Sequence, residues 1–135
     1  MQARFLLDTN ICIYIRSRKP PLIRERFERL DPGEAAISAI TYGELFYGAE
    51  KSAHRTTALR YLQELAGILP VLALSLDAAQ ACGTIRASLE AKGQTIGNND
   101  LWIAAHAKSA GLVLVTNNER EFRRVPGLKI ENWAR

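Results

Sequence analysis

Cysteine is scarce in this 135-residue chain: Cys12 and Cys82 are the only two, and neither stands in a C-x-x-C or Cys/His spacing. That excludes a disulfide framework and a thiolate zinc site, so both read as free thiols of a reducing cytosol. Histidine is equally sparse, with His54 and His106 alone, which removes imidazole-rich metal chemistry. The sequence has no run of about 18 apolar residues and no basic amino-terminal segment leading into a signal-length apolar stretch. The expected protein is soluble and cytoplasmic, neither secreted nor membrane-spanning. Repeats, low-complexity tracts and linkers are absent too, so residues 1–135 are expected to form one domain. A chain of this length buries roughly two thirds of the surface it would expose unfolded, enough to fold without a staple.

The net charge of +4 is modest, and its location is more informative than its size. Between Arg16 and Arg29 stand Arg16, Arg18, Lys19, Arg24, Arg26 and Arg29 against only Glu25 and Glu28, which accounts for the whole excess. Two readings stay open. One is a solvated helix with Arg24–Glu28 and Glu25–Arg29 pairs at helical spacing. The other is an edge that contacts phosphate.

Strand signals fall at Arg4–Leu7, Ala35–Ser38, Val71–Leu74 and Leu112–Val115, with a weaker one at Leu128–Ile130. Helical patterns separate them at Thr9–Ile15, Leu22–Leu30, Ile40–Lys51, Arg55–Ile68, Leu76–Lys92 and Asn99–Ala110. This alternation predicts an α/β fold, a three-layer α/β/α sandwich with a central parallel sheet. Pro20-Pro21, Asp31-Pro32-Gly33, Pro70, Gly93, Gly97 and Gly111 punctuate it at the expected boundaries.

Three carboxylates fall where apolar residues are expected. Asp8 follows Phe5-Leu6-Leu7 in "RFLLDTN", so a buried strand delivers it to the carboxyl end of the sheet, where ligands bind in sheets flanked by helices. It also reads as a helix cap, a task Thr9 or Asn10 would serve equally. Glu44, in "ISAITYGELFYGAEKS", shares a helical stripe with Ile40, Tyr47 and Gly48 on the face expected to pack inward. By itself it reads as an edge residue reaching water or an Arg. Asp100, in "IGNNDLWIAAHAKSAG", heads a stripe of Ile103, Ala104, Ala107 and Gly111. By itself it reads as a capping or first-turn acid favoured by the helix dipole.

Taken together, the three acids can converge in one cleft. Two like charges about 4 Å apart repel by roughly 4 kcal/mol at an effective dielectric near 20, so such a cluster needs a cation or must protonate. No Lys or Arg is adjacent on either stripe, and His and Cys do not cluster, which favours Mg²⁺, with Mn²⁺ as a substitute, over zinc. Magnesium retains waters that phosphate oxygens can displace, so phosphodiester hydrolysis by metal-activated water is the expected chemistry.

The segments "FLLDTNICI", "ISAITYGELFYGAEKS", "IGNNDLWIAAHA" and "GLVLVTNNEREFRRVPGLKIENW" resemble, in order and spacing, the PIN-domain ribonucleases that act as VapC toxins of bacterial toxin–antitoxin pairs. The resemblance runs from about Phe5 to Trp133. It implies that Asp8, Glu44 and Asp100 are the catalytic, metal-binding acids. A fourth acid is usual shortly after the last core strand, and "TNNEREF" places Asn118 there, so one firmly bound Mg²⁺ is expected. Glu121 is a candidate to compensate, although Phe122 and Arg123 after it also suit an ordinary helix end. Thr9, Asn10 and Thr116 are secondary candidates that would orient the carboxylates, with capping and turn formation as the other reading. His106, near Trp102 and Ser109 and off the Asp100 stripe, is expected to be structural or on the surface, and His54 to be a solvated helix-start residue. The resemblance also implies a cognate VapB-type antitoxin whose tail fills the cleft, a homodimer, and a structured RNA target, tRNA being the expected one. Trp102, Phe46, Tyr42 and Tyr47 offer apolar interface area or core.

The expected activity is thus Mg²⁺-dependent endoribonuclease action leaving 5′-phosphate and 3′-hydroxyl ends. One alternative is a PIN-fold RNA-binding or regulatory module with weak or no catalysis, to which Asn118 lends support. Another is an aspartyl phosphotransferase using Asp8, against which stand Asn10 in place of a second Asp and the lack of a partnering Lys after a later strand.

Overall fold

The structure, a computed structural model, describes residues 2–134. Among the described residues the chain runs β1 (Phe5–Leu7), α1 (Thr9–Ser17), α2 (Pro21–Glu28), β2 (Ala35–Ser38), α3 (Ala39–Lys51), α4 (Arg55–Ile68), β3 (Val71–Leu72), α5 (Leu76–Ala91), α6 (Asn98–Ala110), β4 (Val113–Val115), α7 (Glu119–Phe122) and β5 (Ile130–Glu131). The strands form one sheet in the order β3-β2-β1-β4-β5, parallel throughout. Consecutive strands are therefore joined by crossovers that place helices on the faces, giving the expected α/β/α sandwich.

Side-chain alternation in β1 divides the core. Leu6 points into one apolar cluster with Ile85, Leu89, Ile103, Leu114 and Phe122, under α5 and α6. Phe5 and Leu7 point the other way, to Ile11, Ile15, Ile23, Leu62, Leu65 and Trp133, under α1, α2 and α4. A strand buried on both faces has to be apolar at successive positions, which is why β1 and β2 read as unbroken runs. α3 bridges the layers, with Ile40 packed on the first cluster and Tyr42 and Leu45 on the second.

Strand ends depart from the sequence reading. β3 stops at Leu72, two residues short of the expected limit, as befits an edge strand with one partner. The last strand begins at Ile130 instead of Leu128, because Gly127 turns at φ 77° and the Leu128 N–H is spent on the Val125 carbonyl at 3.4 Å. The basic segment largely follows its solvated reading. Arg24 pairs with Glu28 at 3.7 Å, whereas a Glu25–Arg29 pair is absent among the described residues because α2 ends at Glu28 and Arg29 caps it. Arg16 lies over the Tyr61 ring at 4.6 Å, and Arg26 reaches Glu131 at 3.3 Å. Both cysteines are free and buried, and burial pushes the Cys12 thiol up to about 12, so it is inert.

Candidate active site

Asp8 occupies the crossing point of strand and helix. Its N–H continues the β1–β4 ladder to the Val115 carbonyl at 2.9 Å, while its side chain caps α1 by accepting the Thr9 N–H on Oδ1 at 2.7 Å. The other oxygen, Oδ2, accepts the Thr116 hydroxyl at 2.8 Å. The two readings of Asp8, cap and site residue, are therefore compatible: one oxygen turns the chain and the second is aimed by Thr116. Only 5% of Asp8 is exposed. Burial, then repulsion from Glu44 and Glu121, raises its pKa above the ordinary carboxylate value, against the lowering effect of its two hydrogen bonds.

Glu44 is oriented by Thr9, whose hydroxyl donates to Oε1 at 2.7 Å and lies 3.4 Å from the Thr41 hydroxyl. The expectation that its stripe packs inward does not hold. The buried residues of α3 are Thr41 and Ala49, and Tyr47 is 63% exposed. Ile40, Gly43, Glu44 and Tyr47 instead wall an open cleft of about 620 Å³ together with Thr9, Ala39 and Asn99.

Asp100 stands in the third position of α6, whose cap is Gly97, so the capping reading fails and the first-turn reading stands. Its stripe packs as expected, with Ile103, Ala104 and Ala107 fully buried. The carboxylate has no hydrogen bond among the described residues. Its pKa rises to about 6, through burial first and then through Asp8, Glu121 and Glu44. Every charge acting on Asp8 or Asp100 is thus another carboxylate.

Glu121, from α7, is the fourth carboxylate of this field. It accepts the Gly97 N–H at 3.2 Å on Oε1 and the Asn118 amide on Oε2, tying α7 to the turn that opens α6. Asn118 faces Glu121 through its amide nitrogen, and its own N–H is held by the Thr116 hydroxyl at 2.9 Å. Asn10 is exposed, with no side-chain hydrogen bond among the described residues, and is not drawn into the group. His106 is buried, with Nδ1 2.8 Å from Ser38 Oγ, and His54 is an exposed residue at the start of α4. Sequence reasoning missed Thr41 and Ser38, both fully buried polar residues; the signal was a pair of hydroxyls in "SAIT" where neighbouring positions are apolar.

Among the described residues no three of these carboxylates stand close enough to form a ready-made metal cage. Glu44 and Glu121 act by repulsion on both Asp8 and Asp100, and the donor set is all oxygen and lacks a protein counter-charge. Such a set fits a hard divalent cation that takes few direct carboxylates and keeps its waters.

The model of the PIN domain matches residues 5–128. The chain is also 46% identical over 131 residues, 97% of its length and 98% of the relative's, to the "tRNA(fMet)-specific endonuclease VapC" of Shigella flexneri, and 44% identical to "Ribonuclease VapC2" of Haemophilus influenzae over the same shares. The chain belongs to the PIN-domain family of VapC ribonucleases. Among solved structures it resembles the DNA-bound VapBC complex of Salmonella typhimurium, with a TM-score of 0.92 and 48% identity over 98% of this chain and 99% of that one. It also resembles VapBC-1 of nontypeable Haemophilus influenzae, with a TM-score of 0.89 and 38% identity over 97% and 98% of the two chains. PIN-domain nucleases are generally dependent on a divalent metal, in keeping with the grouped acids of this VapC-family member.

Proposed function

We propose that this chain is a Mg²⁺-dependent endoribonuclease toxin, one PIN domain over residues 1–135, that acts in the cytoplasm and is held in check by a VapB-type antitoxin. Among the described residues no helix is long and apolar enough to cross a membrane. The observation that carries the reading is the group of Asp8, Glu44, Asp100 and Glu121 near the carboxyl end of β1, in which burial, then repulsion from the neighbouring carboxylates, raises the pKa of Asp8 and of Asp100. A purely structural core would not gather uncompensated carboxylates, because each burial costs solvation without return.

In this reading Asp8, Glu44 and Asp100 hold the cation, and Glu121 adds negative charge where Asn118 stands in place of an acid. A bound Mg²⁺ supplies water activation and charge neutralisation at phosphate oxygens. The chain's own residues do the positioning. Thr116 and the Thr9 N–H fix the two oxygens of Asp8, and the Thr9 hydroxyl aims Glu44. Tyr47, with the Lys51 ammonium 5.1 Å from its ring centroid, gives the cleft an aromatic face for a base and a cation for a phosphate. The relatives' names and complexes support tRNA as substrate class and a VapB-type protein as partner. Exposed Phe46 and Tyr47 and partly buried Tyr42 and Trp102 support a homodimer.

Purified chain incubated with total tRNA and Mg²⁺ tests this. Expected are discrete cuts with 5′-phosphate and 3′-hydroxyl ends, abolished by EDTA and by Asp8→Asn. Products ending in 2′,3′-cyclic phosphate, or full activity of Asp8→Asn, would defeat the reading.

A further inference from the structure

Each carboxylate-bearing element of the site is anchored by a hydroxyl, but not in the same way. Asp8 is gripped directly by Thr116, and Glu44 directly by Thr9. The Asp100 carboxylate has no such partner among the described residues, so its position depends on where α6 as a whole is set. Among the described residues, one side-chain hydrogen bond joins α6 to the start of α3, the contact of His106 Nδ1 with Ser38 Oγ at 2.8 Å. Ser38 is the last residue of β2 and the cap of α3, and the same Oγ accepts the Ile40 N–H at 3.1 Å. The strut thus lies six residues beyond Asp100 on one helix and six residues before Glu44 on the other.

We infer that His106 is a positioning residue of the site: through Ser38 it fixes the spacing between the helix bearing Asp100 and the helix bearing Glu44, and so sets the affinity for the divalent cation. The inference rests on the metal-site reading given above.

Bond accounting supports the assignment. Ser38 Oγ accepts the Ile40 N–H on one lone pair and keeps both a proton and a second lone pair for Nδ1, so it can hold the neutral ring in either tautomer. Burial lowers the His106 pKa, which favours the neutral ring that this contact uses. Ser38 is fully buried and His106 is 4% exposed, so water does not replace a lost partner. The helix residues flanking His106, Ile103, Ala104, Ala105 and Ala107, are fully buried in a close-packed interior, where a lost contact is felt by its neighbours.

The test is calorimetric titration of the whole chain with MgCl₂, with folding checked by circular dichroism and thermal melting. His106→Phe fills the volume but removes the hydrogen-bonding nitrogen, and His106→Asn restores a polar atom near the place of Nδ1. Expected is an apparent Mg²⁺ Kd about tenfold weaker in His106→Phe, the scale typical of groups that orient metal ligands, with most of it recovered in His106→Asn. A role in stability alone would lower the melting temperature of His106→Phe and leave the Kd of the folded protein within twofold of wild type, which would overturn the inference. If His106→Phe does not fold, Ser38→Gly serves, since glycine is also accepted at a helix cap, and the same tenfold weakening is expected. Absence of Mg²⁺ binding in the wild type would instead overturn the metal-site reading, and this inference with it.

Discussion

At the scale of the residue, the proposed activity depends on how a buried carboxylate is kept ionised. Thr116 is fully buried and supplies one of two hydrogen bonds that lower the Asp8 pKa against burial. Thr116→Val keeps the shape and removes that bond, which costs about 1–3 kcal/mol for a buried acceptor left short of a donor. It also raises the Asp8 pKa further, so the acid limb of the cleavage profile should move to higher pH, while Thr116→Ser restores it. Asp100 gives the sign of a second effect. Its folded pKa of about 6 exceeds its ordinary 3.8, so between those values the folded protein holds a proton that the unfolded chain has released. Its contribution to stability is fully present below the lower value and is lost as pH rises through the upper one. In EDTA, denaturant midpoints should therefore fall across that window more steeply for wild type than for Asp100→Asn; equal slopes would contradict the assignment. Sequence alone marked Asp8, Glu44 and Asp100 as misplaced acids. It could not rank Glu121 above Asn118, because that depends on which side chain of one short helical turn faces Gly97.

At the scale of the element, local chemistry fixes where each helix begins and ends, and hence where its acid is aimed. α6 starts on Gly97 and stops on Gly111, which adopts φ 70° and closes the helix onto the Ala107 and Lys108 carbonyls. A Cβ at Gly111 would meet nothing within 4 Å, so Gly111→Ala tests backbone strain free of clash. It should destabilise by about 1–2 kcal/mol in chemical denaturation while leaving Mg²⁺ affinity near wild type, because the far end of the helix carries Asp100. Helix limits were legible because caps and breakers are local in sequence. The facing of α3 was not. Its stripe of Ile40, Glu44 and Tyr47 has the periodicity of a buried face, and periodicity does not distinguish a wall of core from a wall of cleft.

At the scale of the whole molecule, the carboxyl-terminal segment completes the support of the site. Glu131 in β5 accepts the Thr116 N–H at 3.0 Å, and Trp133, 1% exposed, packs edge-on against Phe5 at 5.4 Å. Trp133→Ala should cost about 3–5 kcal/mol, a large part of the margin of a domain this size, and should weaken Mg²⁺ binding as the Asp8–Thr116 pair loosens. Calorimetry and Mg²⁺ titration of one sample check both. The cation itself should stabilise the fold in proportion to how far the acids are ionised, raising the melting temperature at about pH 7.5 clearly more than at about pH 5. By itself the sequence determined the layer order, the approximate limits of the longer helices and the three suspect acids, because apolar periodicity and breakers act between neighbours along the chain. Only the tertiary structure decided that Thr116 reaches Asp8, that Glu121 joins the acidic field and that His106 meets Ser38. Those contacts span residues far apart in the chain, and only the packing of parallel strands and their crossover helices brings them within a hydrogen bond of one another.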